Sequence, residues 1–337
     1  IKSVCSTLIL NKDFSIFPIN SWIKNSIFDN VTSVNNTAQW GGSSYVSGNN
    51  ITVRNCNLDN NSAIENGGGL AVSGHNGTFE NIALSNCNAS VYGGAVYVIG
   101  DNNTFNNVTS IHNTADYGGS SYIAGDNTVV ENCNLDNNIA TVDGGGLYVK
   151  GNDCNFTNVK LSNCIAEGEG GAVYISGDFA SFDNVTSGNN TATYGGSTSV
   201  NGENVKVQNS EFTDNEADAG GAIYVSGDEG YIANNNILSN TANMGGGIFV
   251  TGDDCEFSQN NISYNDANFG GGLTVLGSNT LMDNNNITYN YHISTKYFII
   301  NTLYFFAFSI FVKCMLRRSS CGRRSFKKRK SKIKRNY

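Results

Sequence analysis

The stretch FTDNEADAGGAIYVSGD, Phe212 to Asp228, contains the pattern that decides the fold. It places an Asn, an Ala and a Gly pair at fixed spacings, and close variants return through most of the 337-residue chain. We number positions from the first Gly of each pair, which is position 0. Successive pairs are about 25 residues apart, a period that is typical of a solenoid. The position-0 glycines are Gly41, Gly67, Gly93, Gly118, Gly144, Gly170, Gly195, Gly220, Gly245 and Gly270.

Other positions of the repeat are equally regular. Position 5 is always Val or Ile, position 7 is Gly, position 12 is apolar, and position 22 is Ala in the complete units. Short strand-like pieces broken by Gly and Asn, in a unit of this length, indicate one coil of a parallel β-helix, in which coils pair at about 4.8 Å. The crossover rule for parallel strands favours a right-handed winding. We therefore predict an all-β, right-handed parallel β-helix of about eleven coils, the first of them degenerate.

Composition and charge divide the chain into three predicted regions. From Lys296 onward there are 13 Lys or Arg and no acid, which leaves 7 basic and 28 acidic residues before it, a net charge of −21 against +13. An acidic body repels phosphate backbones, so we expect no nucleic-acid partner. The predicted regions are an N-terminal remnant of a longer chain at 1–19, the β-helix at 20–290 and a basic, partly apolar tail at 291–337.

The tail predicts a membrane anchor. YFIINTLYFFAFSIFV, residues 297–312, is mostly apolar, and extension to Leu316 gives a span at 297–316 if Lys313 reaches the interface. The basic end would then be cytoplasmic and the β-helix outside the cell. The alternative is an out-of-frame end, because the tail keeps no trace of the repeat.

Position 14 is Asn in nine of ten coils, with Gln259 as the exception. An amide has both a donor and an acceptor, so identical amides stacked coil on coil can bond to one another. We predict an internal Asn ladder at position 14, and position 20 repeats the pattern less strictly. The predicted ladder comprises Asn55, Asn81, Asn107, Asn132, Asn158, Asn184, Asn209, Asn234 and Asn284.

Position 4 lies between two inward positions and is predicted to point outward. It holds mostly Tyr, so one face of the rod should carry an aromatic stripe that binds glycan rings or a partner protein. The alternative is a set of cross-strand pairs that only stiffen the sheet. The candidate binding residues are Tyr45, Tyr97, Tyr122, Tyr148, Tyr174 and Tyr224, followed by Phe249.

Acidic residues follow the position-7 Gly in several coils. Asp101 and Asp126, and likewise Asp228 and Asp253, should lie about one strand spacing apart, where a calcium ion would relieve their repulsion. The alternative is a solvated Gly-Asp turn. We predict no cofactor other than calcium at these candidate ligands.

No catalytic constellation is visible in the repeats. The one Arg before residue 290 is Arg54, which we interpret as the partner of Glu80 at the same position of the next coil. The three His share no position, so neither a triad nor a zinc set is indicated. The nine Cys include no C-x-x-C, and most are interpreted as small residues filling the interior.

F-x-x-N-x-A-x-x-G-G-A-I in FTDNEADAGGAI resembles the repeat of the chlamydial polymorphic membrane proteins, and the Asn-rich context is similar to the adhesin-like surface proteins of methanogenic archaea. The resemblance covers about residues 20–290. It implies a secreted or cell-surface protein involved in attachment and assigns no catalytic residue.

We therefore expect a non-catalytic adhesin-like or structural protein at the cell surface, with cell-surface glycans or proteins as partners. The alternative is a carbohydrate-active β-helix enzyme, a polysaccharide lyase or hydrolase, whose catalytic coils lie outside this sequence.

Overall fold

The computed structural model describes residues 4–6, 9–11 and 27–292. The described residues form a right-handed parallel β-solenoid, as predicted, with one coil per repeat. They contain no helix of the length and apolarity needed to cross a membrane. The predicted anchor at 297–316 and most of the predicted N-terminal remnant lie outside the described residues.

Three parallel sheets run along the solenoid, and each strand pairs with its equivalent in the neighbouring coils. Sheet 1 has 21 strands and uses positions 11–13 and 16–18. Its strands are Val4–Ser6, Ile9–Asn11, Ile27–Asp29, Thr32–Val34, Thr52–Asp59, Thr78–Ser85, Thr104–Ile111, Val129–Glu131, Asn134–Asp136, Asn155–Thr157, Lys160–Ser162, Ser181–Asp183, Thr186–Gly188, Lys206–Gln208, Glu211–Thr213, Tyr231–Ala233, Asn236–Leu238, Glu256–Ser258, Asn261–Ser263, Leu281–Asp283 and Asn286–Thr288.

Sheet 2 uses positions 3–5 and contributes one strand to each of ten coils. Sheet 3 begins at position 21 and is divided into six-stranded and four-stranded parts, joined by bridges such as Thr191 to Glu216. The strands of sheet 2 are Ser44–Val46, Leu70–Val72, Val96–Val98, Ser121–Ile123, Leu147–Val149, Val173–Ile175, Thr198–Val200, Ile223–Val225, Ile248–Val250 and Leu273–Val275. Those of sheet 3 are Thr37–Trp40, Ser62–Asn66, Asn88–Ala89, Thr114–Tyr117, Ile139–Asp143, Ile165–Ala166, Glu216–Ala219, Thr241–Met244, Asp266–Phe269 and Tyr291–His292.

The chain turns in each coil at residues with positive φ. Position 0 is always Gly, with φ between 60° and 67°, and positions 9, 14 and 19 have φ between 52° and 59°. Most residues at these three positions are Asn, whose short polar side chain tolerates the left-handed region. The left-handed corners therefore account for much of the Asn in the sequence.

The interior is filled by stacked columns of apolar side chains. At position 12 the rings of Phe79 and Phe105 stack with centroids 4.6 Å apart, and those of Phe156 and Phe182 stack at 4.3 Å. All four are buried. The expectation for the cysteines is confirmed for Cys56, Cys87, Cys133, Cys154, Cys164 and Cys255, which are buried free thiols.

The predicted internal position of the Asn ladder was wrong. Every residue of the predicted position-14 ladder has an exposed side chain, because a left-handed corner turns it outward. The buried ladder lies at position 20, where Asn190 donates to Asn215, Asn215 to Asn240 and Asn240 to Asn265. Each donor–acceptor distance is 2.9–3.0 Å. These bonds satisfy amides that would otherwise be costly to bury.

Candidate functional site: an aromatic corner and an amide groove

The aromatic stripe lies where sheet 3 turns into sheet 2. Strand pairing aligns position 4 of successive coils, so that Tyr97 is opposite Tyr122 and Tyr148 is opposite Tyr174. The ring centroids are 5.7 Å apart in the first pair and 4.6 Å apart in the second. Tyr122 is buried by its neighbours, whereas Tyr45, Tyr97, Tyr148, Tyr174 and Tyr224 stay partly exposed.

A second aromatic row, which the repeat pattern does not predict, lies beside the stripe. It consists of residues immediately before position 0, and its three tyrosines each contact the stripe residue of the next coil. Tyr92 and Tyr122 have centroids 4.4 Å apart, and Tyr117 and Tyr148 have centroids 5.6 Å apart in an edge-on arrangement. We call the two rows together the aromatic corner. The second row comprises Trp40, Tyr92, Tyr117 and Tyr194.

Two small residues interrupt the stripe, and at each interruption a side chain from immediately before position 0 makes the nearby contacts. Ala71 lies between the coils of Tyr45 and Tyr97, and the Trp40 indole contacts both rings, with centroids 5.9 and 6.0 Å away. At the second interruption, the Glu169 carboxylate accepts a hydrogen bond from Ser199 Oγ over 2.8 Å. Ala71 and Ser199 are both completely buried.

Two carboxylates take the place of aromatic residues in the second row. Asp143 Oδ1 accepts the backbone N–H of Glu169 over 2.8 Å, and Glu169 Oε2 also accepts a hydrogen bond from Asn201 Nδ2 over 3.0 Å. Neither forms an ion pair with a described Lys or Arg. Burial raises the pKa of Asp143, and burial likewise raises the pKa of the neighbouring Tyr148 and Tyr174. The corner is therefore aromatic with a local negative charge.

The candidate calcium ligands accept hydrogen bonds from the backbone of the next coil. Asp101 Oδ1 accepts the N–H of Asp126 over 3.0 Å, and Asp228 Oδ1 accepts the N–H of Asp253 over 2.8 Å. The two members of each pair thus lie on adjacent coils, as expected. Within the part of the chain that the structure describes, no group of three or more His, Cys, Asp or Glu is arranged to hold a metal ion.

Arg54 forms an ion pair, but with a different partner from the one expected. Its Nη2 lies 2.7 Å from Asp29 Oδ2 on the preceding coil, while Glu80 on the following coil only contributes to the surrounding negative potential. Asp29 also accepts a hydrogen bond from Asn55, and these two donors lower the pKa of its carboxyl. The arginine is therefore occupied by a surface contact.

A shallow groove of about 370 Å³ runs along sheet 1, on a different face from the corner. It follows the left-handed turn at position 14, between the strands at positions 11–13 and 16–18. One wall consists of side chains at position 14 and the other of side chains at position 16. We call this the amide groove, with walls of Asn184, Asn209, Asn234 and Gln259 on one side and Thr186, Glu211, Asn236 and Asn261 on the other.

The predicted ladder residues form part of this groove and its continuation. Bonds between successive position-14 amides include Asn81 to Asn55, Asn184 to Asn158 and Asn234 to Asn209, at 2.6–3.1 Å. The row is interrupted where Asn132 and Asn209 donate instead to the preceding position 13. The ladder is thus a row of solvent-facing amides.

Comparison with known proteins agrees with the solenoid. Residues 194–316 match a family described as a right-handed beta helix region. A search of curated proteins gave no match. Similar solved structures include an alginate lyase, AlyF-OU02, in complex with G6, at 14% identity and a TM-score of 0.42, covering 78% of this chain. This chain spans 57% of the length of that lyase. A PL6 alginate lyase in complex with a trisaccharide has 11% identity and a TM-score of 0.37, covering 80% of each chain.

Proposed function

We propose that this protein is a non-catalytic, adhesin-like protein of the cell surface, which binds glycans through the aromatic corner. The observation that carries the proposal is the run of contacting rings over successive coils, from Tyr92 and Tyr97 to Tyr174, all of them partly exposed except the buried Tyr122. Aromatic rings with hydroxyl groups and nearby carboxylates offer both stacking surfaces and hydrogen-bond partners to a sugar.

The fold itself does not require these rings. Ala71 and Ser199 occupy the same position as the tyrosines, and their strands pair in the same register as the others. The core columns at positions 5 and 12 already fill the interior. Aromatic side chains at an outward position that accepts Ala and Ser are better explained by recognition than by coil formation.

The experiment is a glycan array probed with the protein in the presence and absence of calcium. The test variant is Tyr148→Leu with Tyr174→Leu, which keeps apolar volume but removes the two aromatic faces. The control is Phe179→Leu, which removes a 57% exposed ring from another turn. We expect at least a tenfold loss of glycan binding in the double variant and no loss in the control.

Several results would contradict the proposal. Binding that is equal in the double variant and the parent protein would exclude the corner, and an array without any bound glycan would exclude the proposed function. Shortening of a bound glycan during incubation would instead favour the alternative of a carbohydrate-active enzyme. A change with calcium would support a role for the Asp101 and Asp126 pair or the Asp228 and Asp253 pair.

A further inference from the structure

The amide groove contains more hydrogen-bonding groups than its own contacts use. Each Asn side chain has two N–H donors and an oxygen that accepts twice. Asn234 Nδ2 donates to Asn209 Oδ1 over 2.6 Å, but no described residue donates to Asn234 Oδ1. On the opposite wall, Asn236 Oδ1 accepts a hydrogen bond from Asn261 over 2.7 Å, and Asn236 Nδ2 has no partner among the described residues. Both walls therefore offer hydrogen-bonding groups to the space between them.

These groups are repeated along the rod at the coil spacing. The residues at position 14 in four successive coils, from Asn184 to Gln259, line one wall, and the residues at position 16 of the same four coils line the other. The spacing of about 4.8 Å between coils is close to the length of one pyranose unit in an extended β-1,4-linked chain. A polymer with that repeat places one sugar over each coil with alternate sugars turned over, and each wall carries both donors and acceptors that either edge of a sugar can bond.

The charge of the groove restricts the ligand further. Glu211 is the one charged residue among those that line it, although the chain before Lys296 has a net charge of −21. An acidic polymer would be repelled by this body, and a cationic one would find a single carboxylate in the groove. Uncharged hydroxyl groups match the amide, hydroxyl and carboxylate partners on the two walls.

We propose that the amide groove binds a linear, uncharged, β-1,4-linked glycan, with the glycan parallel to the solenoid axis and one sugar over each of four coils. The proposal goes beyond the proposed function, because it adds a second glycan-binding surface whose residues are not in the aromatic corner. Because the groove is open and lacks aromatic residues, each sugar contributes little and the affinity depends on length.

The test uses neutral cello-, manno- and xylo-oligosaccharides of increasing length, measured by titration calorimetry with the full chain. We expect affinity to rise up to the tetrasaccharide and then to level off, because four coils line the groove. Oligogalacturonates of the same lengths should bind at least tenfold more weakly.

The groove variants keep the backbone conformation. In the test variant, Asn234→Gly preserves a residue that tolerates the positive φ of 55°, and Asn236→Val keeps a strand-forming residue at an outward position. We expect at least a tenfold loss of tetrasaccharide affinity. The control Asn81→Gly makes the same change at position 14 outside the groove and should retain full affinity.

The outcomes separate the groove from the corner. Loss of affinity in the groove variant but not in Tyr148→Leu with Tyr174→Leu supports the groove. Loss only in the corner variant, a plateau unrelated to four sugars, or no binding of any neutral oligosaccharide overturns the groove proposal, while glycan binding on the array can still support the proposed function. Binding of a cationic glucosamine tetrasaccharide that is tighter than that of the neutral tetrasaccharides and is lost in Glu211→Gln would indicate a cationic ligand and would also overturn it.

Discussion

The amide oxygen of Asn240 accepts two hydrogen bonds from Asn215 on the preceding coil, one from its side chain and one from its backbone. Asn215 Nδ2 donates to Asn240 Oδ1 over 2.9 Å, and the Asn215 backbone N–H donates to the same oxygen over 3.0 Å. Asn190 makes the same two bonds to Asn215. The Asn215 side chain therefore satisfies groups on the coil before it and on the coil after it.

Replacement of a buried ladder amide should be costly. In Asn215→Ala the Asn190 backbone N–H loses its side-chain acceptor and the Ser187 carbonyl loses a donor. Because a buried unsatisfied group costs about 1–3 kcal/mol, we expect the free energy of unfolding to fall by at least about 2 kcal/mol in urea denaturation. Asn158→Gly in the exposed ladder should change it by less than about 0.5 kcal/mol. Equal effects would contradict the distinction between the two ladders.

The second Gly of each pair should be sensitive to substitution. A Cβ on Gly196 would lie 2.3 Å from the Gly221 carbonyl oxygen and 2.5 Å from that of Glu216, so the backbone of the next coil must move. We expect Gly196→Ala to lower the free energy of unfolding by about 3 kcal/mol or more. In Gly230→Ala the new Cβ first meets side-chain atoms, 3.3 Å away on Val225, and we expect a change below about 1 kcal/mol. Similar melting temperatures for the two variants would refute this prediction.

Replacement of a residue that disfavours its left-handed turn conformation should stabilise the fold. Phe179 has a φ of 58° and is 57% exposed, so its ring adds little packing to a conformation that disfavours it. We expect Phe179→Gly to stabilise the protein by about 1 kcal/mol. Asn204→Phe, at the same position of the next coil with a φ of 56°, should have the opposite effect. The measurement is the shift in melting temperature, and a shift of the same sign in both variants would argue against the explanation.

The aromatic corner should make stability depend on pH through Asp143. Burial raises the pKa of this carboxyl, so its ionised form is disfavoured in the folded state. The resulting penalty is present above the folded pKa and disappears as the pH falls through the ordinary carboxyl range. We therefore expect Asp143→Asn to be more stable than the parent protein at neutral pH, and the difference to vanish in acid.

Glu65 provides a control, because its pKa is shifted in the opposite direction to that of Asp143. Trp40 and Gln39 donate hydrogen bonds to its carboxylate and lower its pKa. Its contribution to stability is present at neutral pH and is lost as the pH falls through the lowered pKa. Glu65→Gln should therefore be less stable than the parent protein at neutral pH and equal to it in acid, as measured by thermal unfolding. A stability difference that does not change with pH in either variant would show that the carboxyl at that position is not the source of the pH dependence.

The sequence predicts the coil and its core well, because alternation and spacing decide which side chains face inward. Phe156 and Val225 lie in interior columns as expected. The sequence could not show which of the two Asn rows is buried, because Asn is suited both to a buried ladder and to a left-handed corner. The residues that replace Asn distinguish the two rows. The buried position 20 has Cys87 and Cys164 in place of Asn, whereas the exposed position 14 has Gln259.

The candidate site was predicted only in part. Position 4 was recognised because its spacing from the Gly pair is constant. The second aromatic row precedes that pair, where the coils differ slightly in length, so Tyr92 and Tyr117 fall at different distances from the preceding position-0 Gly. The partner of Arg54 was also ambiguous, because acids stand at the same position on both neighbouring coils. Side-chain geometry selects Asp29.

Because each coil pairs only with the coils before and after it, whole coils can be gained or lost without disturbing those that remain. The segments GGSSYVSG at Gly41, GGSSYIAG at Gly118 and GGSTSVNG at Gly195 recur at an interval of three coils. Duplication of such a block lengthens the rod by about 14 Å and extends its surface rows in register. Evolution can therefore change the length of the rod by duplicating or deleting coils, without changing the residues that its surface rows present.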